Sequence, residues 1–173
     1  MALREAVDAL ERRDLDALLD LLSATDRTTR RGAALRLGDL GEPAAVEPLG
    51  RCLVAADELL RNAALKALAK IGDARAVPLV YESATTDKAF GVRTTAAEAL
   101  VRLGDSRALD VLSELLLSPE NPWPQSSRKW LAKLAVECGL TEAIPLLSSA
   151  RTGARPPARW RLNRAIRTLG AAP

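Results

Sequence analysis

Trp160, Arg164 and Arg167 stand at i, i+4 and i+7, the spacing that gathers side chains on one face of a helix. Leu162, Ala165, Ile166 and Leu169 fill the opposite face, so the ring and the two guanidiniums are expected to point outward. A tryptophan among arginines can make cation–π contacts, stack on a nucleic-acid base or anchor a protein interface. Trp130 lies near Lys133 in the preceding segment, where a large ring interrupts a column of smaller side chains. Trp123 sits in a proline-rich insertion, "SPENPWPQSS". All three tryptophans therefore fall in the last third of the chain. Residues 121–173 hold nine basic side chains against two acids, a net of +7, whereas the whole chain carries +3 and residues 1–120 thus carry −4. No acid follows Glu142.

Groups for covalent or metal chemistry are scarce. Histidine is absent, which removes the commonest general base and the commonest metal ligand. There is no CxxC and no phosphate-binding glycine loop, and the carboxylates fall mostly on caps and exposed helical positions. The two cysteines, Cys52 and Cys138, are far apart in the chain, and Cys138 occupies a column otherwise filled by Leu40, Ile71, Leu103 and Leu169. It reads as a small buried hydrophobe. These residues point to no cofactor, no metal, no small-molecule substrate and no catalytic group.

The elements that must carry these residues are set by a repeat. Arginine is followed eleven residues later by glycine in five blocks: Arg30–Gly41, Arg61–Gly72, Arg93–Gly104, Arg128–Gly139 and Arg159–Gly170. A period of this size marks a solenoid. Three residues after the arginine stand Ala33, Ala64, Ala96, Leu131 and Leu162, and seven after it Leu37, Leu68, Leu100, Ala135 and Ile166. With the column at offset ten, these make one apolar stripe of a helix that the glycine closes. A second stripe follows four of the glycines, through Ala45, Ala76, Ala108 and Ala143 and then Leu49, Val80, Leu112 and Leu147. Asp73 and Asp105, directly after their glycines, are expected to cap the second helix. Each unit is a helical hairpin that must stack on its neighbours to bury its apolar faces. Truncation of the core column, as in Ile71→Ala, is expected to cost about 2–5 kcal/mol.

The strings "RNAALKALAKIGDARAVPLV" and "RTTAAEALVRLGDSRALDVL" resemble HEAT-like repeats, of the short type first recognised in the phycobilin lyases. The resemblance is good over residues 30–117 and looser over 128–170. It implies an all-α fold, a right-handed α-α superhelix or HEAT-like solenoid of about five helical hairpins. One domain spans 1–173, with an N-terminal cap at 1–29, repeats at 30–60, 61–92, 93–127 and 128–158, and a half repeat at 159–173. It also implies that the second helices line a concave face. That face would carry Glu47, Arg51, Tyr81 and Glu82, continued by Asp110 and Glu114.

The expected function is a non-catalytic scaffold or adaptor for another protein. Its contacts would come from the concave row or from the basic, tryptophan-containing third, through Trp123, Trp130, Lys133, Trp160, Arg164 and Arg167. The alternative is nucleic-acid binding through phosphate contacts of the same basic third, and the reading with least support is a bilin-lyase-like enzyme. The first residues carry Arg4, Glu5 and Asp8 in place of an apolar leader, and no run of about 18 apolar residues occurs. The expectation is a cytoplasmic protein without a membrane role.

Overall fold

The computed structural model describes residues 15–118, 121–122, 124–152 and 154–170. The first part of the expected N-terminal cap and Trp123 lie outside these residues. All regular structure among the described residues is helical. The chain forms two compact units, divided between residues 108 and 109.

The first unit contains α1 (Leu15–Leu21), α2 (Arg27–Leu40), α3 (Val46–Cys52), α4 (Glu58–Ile71), α5 (Val77–Thr86) and α6 (Phe90–Arg102). The first helices of successive hairpins pack on one another, α2 on α4 and α4 on α6, while α3 packs on α4 and α5 on α6. In the second unit, after α7 (Ala108–Leu117), come α8 (Pro124–Glu137), α9 (Ile144–Arg151) and α10 (Ala158–Gly170). There α8 packs on α10, and α9 lies against both.

The hairpin turns follow the sequence pattern. Gly41, Gly72, Gly104 and Gly139 all have φ between 63° and 75°, the left-handed region where a side chain is strained. Asp73 does cap, but it caps a single 3-10 turn (Ala74–Ala76) that leads into α5, by accepting from the Arg75 N–H at 2.8 Å. Asp105 accepts from the Arg107 N–H in the same way.

Burial divides the apolar columns. Ala33, Ala64, Ala96, Leu131 and Leu162 are buried, as are Leu37, Leu68, Leu100 and Ala135. The column at offset ten is different: Leu40, Ile71, Leu103 and Cys138 are half-buried, and only Leu169 is enclosed. Leu40 and Ile71 are the last residues of their helices, and Leu103 and Cys138 come directly after theirs, beside the glycine. Ile71 is therefore not a core position, and Cys138 is not the buried cysteine. Cys52 is, with 8% exposure and a thiol pushed up by burial.

The arginine that opens each block has a structural role in the first unit. Arg30, Arg61 and Arg93 donate from Nη1 to the carbonyl six residues earlier, on Ala24, Ala55 and Asp87, at 2.8, 2.8 and 2.9 Å. Each thus ties the loop that enters a hairpin to the hairpin's own first helix. Arg61 goes further. Its Nε and Nη2 take both carboxylate oxygens of Asp87, at 2.7 and 3.0 Å, and the guanidinium is 4% exposed.

Candidate binding groove

Helices α8 and α10 run side by side as first helices of adjacent hairpins, and an open groove of about 530 Å³ lies between them. Its walls come from both helices because two parallel apolar stripes meet below it. Leu131 and Ala135 of α8 and Leu162 and Leu169 of α10 are buried. The residues one helical step round from those stripes line the groove. From α8 these are Lys129, Lys133, Val136 and Glu137, and from α10 Trp160, Arg161, Arg164 and Thr168.

The groove combines exposed apolar area with positive charge. Trp160 is 58% exposed and Val136 39%, two of the few large apolar side chains left open to water. The Arg164 guanidinium lies over the Trp160 ring at 5.7 Å from its centroid. Four cations line the walls against one carboxylate, Glu137, which is 3.5 Å from the Lys133 ammonium. An apolar anchor inside a basic rim suits a partner that offers an apolar side chain flanked by carboxylates.

The structure brings together three of the residues expected from sequence, Lys133, Trp160 and Arg164. Arg167 is exposed but outside the groove, and Trp130 is half-buried on the flank of α8. Lys129, Val136 and Arg161 were missed as members. Lys129 and Val136 stand four before and three after Lys133, and Arg161 three before Arg164, so helical spacing puts each beside an expected residue, but only the position of the adjacent helix shows that these flanks face one groove. Their signal was the cationic excess after residue 120, which counted Lys129 and Arg161 without placing them.

The second-helix residues are not gathered in one cavity: Arg51 lines a cavity of about 490 Å³ with Arg27 and Arg30, and Glu82 lines a smaller one with Leu79 and Ser83. Glu47, Arg51, Glu82, Asp110 and Glu114 are exposed. Tyr81 is half-buried, and the Arg107 guanidinium covers its ring at 3.9 Å while pairing with Asp105. The neighbouring turn repeats the device: Arg75 pairs with Asp73 and donates to the Pro43 carbonyl of the preceding turn at 3.1 Å. Side-chain hydrogen bonds from these arginines hold both aspartates below the usual carboxylate range. Tyr81 thus serves the contact between successive hairpins rather than standing open on that face. Among the described residues no group of three His, Cys, Asp or Glu side chains could hold a metal ion, and no helix is long and apolar enough to cross a membrane.

A family model for HEAT repeats matches residues 2–68 and 52–132. Among solved structures, the chain is similar to one from the complex of CpcE and CpcF of phycocyanin lyase from Nostoc sp. PCC7120, with 26% identity and a TM-score of 0.69. That match covers 92% of this chain and 66% of the other, so the chain spans just under two thirds of that relative. It is also similar in fold to an engineered protein from the Northeast Structural Genomics Consortium, with 20% identity, a TM-score of 0.56, and coverage of 96% of this chain and 83% of that one. A sequence comparison with curated proteins gives no match.

Proposed function

Because the chain belongs to the HEAT-repeat family, we propose that it is a non-catalytic scaffold that binds another protein through the groove between α8 and α10. One observation carries this reading: Trp160 stands 58% exposed inside a wall of lysines and arginines. Burial of a large ring at a protein interface is a common source of binding energy, and the cations around it select an acidic partner. The similar solved structure is a complex of two different chains, which supports a protein partner. The exposed second-helix residues Glu47, Arg51 and Glu82, and the exposed Arg167, are secondary contacts in this reading.

Affinity capture with mass spectrometry tests it. The intact chain is compared with a Trp160→Ala/Arg164→Ala chain and with a Glu47→Ala/Glu82→Ala chain, each with and without nuclease. The groove variant is expected to lose a partner that the other variant keeps, with nuclease making no difference. Equal retention by both variants would overturn the groove assignment. Loss on nuclease treatment would replace the protein partner with nucleic acid.

The 26% identity to the phycocyanin lyase chain favours one second reading, a subunit of a two-chain lyase. Two features weigh against a covalent role: histidine is absent, and burial raises the Cys52 thiol, which disfavours the reactive thiolate. A bilin mixed with the chain is expected to keep its absorption spectrum; a shifted band would favour the lyase reading.

A further inference from the structure

Five large apolar side chains among the described residues stand open to water, and four of them line two grooves. Val136 and Trp160 belong to the groove between α8 and α10. Leu35, 42% exposed, and Leu59, 55% exposed, belong to a second groove of about 370 Å³, formed where α2 packs on α4 in the first unit. Single exposed leucines are ordinary, but two that share a groove offer contiguous apolar area whose removal from water is favourable.

Both grooves are built from the same two columns of the repeat. One and five residues after the block arginine, α2 supplies Arg31 and Leu35, and α4 supplies Asn62 and Lys66. Those columns also give Lys129 and Lys133 of α8 and Trp160 and Arg164 of α10. Each groove therefore mixes cations with an apolar anchor. The block that opens at Arg93 shows that helix packing does not dictate this choice, because the same columns hold Thr94 and Glu98 there, and Glu98 pairs with Arg102 at 2.9 Å. In the α2–α4 groove the charge is of one sign: Arg31 and Lys66 flank the leucines, and no carboxylate stands among the described lining residues.

We propose that the α2–α4 groove docks an acidic segment of another protein, which seats apolar side chains on Leu35 and Leu59 and sets carboxylates against Arg31 and Lys66. Charge of one sign favours an acidic segment and rejects a basic one. Gly32 and Ala63 also line the groove and are too small to fill it, which leaves room for the incoming side chains. The site lies wholly in the first unit and stands whether or not the α8–α10 groove binds a partner.

Selection from a displayed library of short random peptides tests the proposal. The bait is the full chain carrying Trp160→Ala/Arg164→Ala, so that the other groove contributes nothing. Enriched peptides are expected to place Asp or Glu on both sides of a large apolar residue. Their binding is then followed by fluorescence anisotropy. Leu35→Ser/Leu59→Ser, two exposed positions where the fold is retained, should weaken it by about tenfold or more. Arg31→Gln/Lys66→Gln should weaken it and flatten its dependence on salt. No enrichment, enriched peptides without acids, or acidic peptides that bind Leu35→Ser/Leu59→Ser as tightly as the bait would each overturn the proposal. Two further measurements cover the other occupants. A dimer of the chain alone that Leu35→Ser/Leu59→Ser separates into monomers would assign the groove to a second copy. Retardation of duplex DNA that Arg31→Gln/Lys66→Gln abolishes would assign it to nucleic acid. Either result would also overturn the proposal.

Discussion

At the scale of single residues, the Arg61–Asp87 pair is the most consequential contact in the first unit. Both side chains are more than nine-tenths buried and both ends of the fork are used. Removing one partner leaves the other charged and almost closed off from solvent, so Arg61→Ala is expected to cost about 3–5 kcal/mol, measured by chemical denaturation. The pair also sets a pH dependence. Burial pushes the Asp87 carboxyl up, but the Arg61 hydrogen bonds, the Ala89 N–H and the nearby positive charge together outweigh it and hold it below its ordinary value. A carboxyl lowered in the folded state stabilises the fold fully above its unfolded pKa of about 3.9. That contribution is lost as the pH falls through the lower folded value. Melting temperatures recorded downward from pH 5 should therefore fall more steeply for the natural chain than for Asp87→Asn. Parallel curves would refute the pair's role. The regular column of arginines was legible in the sequence, but its task was not. A carbonyl six residues back and a carboxylate twenty-six residues on become partners only when two loops are brought together.

At the scale of helices, small residues set how closely first helices approach. A Cβ built on Gly38 of α2 would lie 2.6 Å from the Ala67 Cα of α4, closer than packed atoms allow. Alanine gains about 1 kcal/mol over glycine in an open helix. Here the clash is with backbone, so Gly38→Ala is expected to be net destabilising by about 1–3 kcal/mol. A higher melting temperature would show that α2 and α4 can separate freely. The two apolar columns also differ measurably. Leu68 is fully buried, and Leu68→Ala should cost about 2–5 kcal/mol. Ile71→Ala should cost less, because its half-buried side chain leaves a smaller cavity. Periodicity placed both residues on one stripe, since helical spacing records angle around the axis. It does not record how much of the final residue of a helix stays open to water.

For the whole molecule, the proposed recognition role rests on the family and on the charge distribution. The basic residues after position 120 are divided among helices, and the fold selects which of them share a groove with Trp160. Attraction between that groove and an acidic partner is screened by salt, whereas the apolar anchor is not. Partner retention should fall as salt is raised from about 0.05 to 0.5 M and be recovered on dilution. Trp160→Ala should weaken retention at every salt concentration. Retention that ignores salt and depends on Trp160 alone would make the cations spectators.

The sequence by itself determined the all-helical repeat architecture, the hairpin turns at Gly41, Gly72, Gly104 and Gly139, and the outward face of the last helix. These are local properties, written in helical spacing and in the tolerance of glycine for positive φ. Tertiary structure alone decided that Lys129, Val136 and Arg161 join Trp160, that Tyr81 is covered by Arg107, and that Arg61 meets the Asp87 carboxylate. Each of these depends on the distance between side chains on different hairpins, and that distance is fixed only when the helices pack.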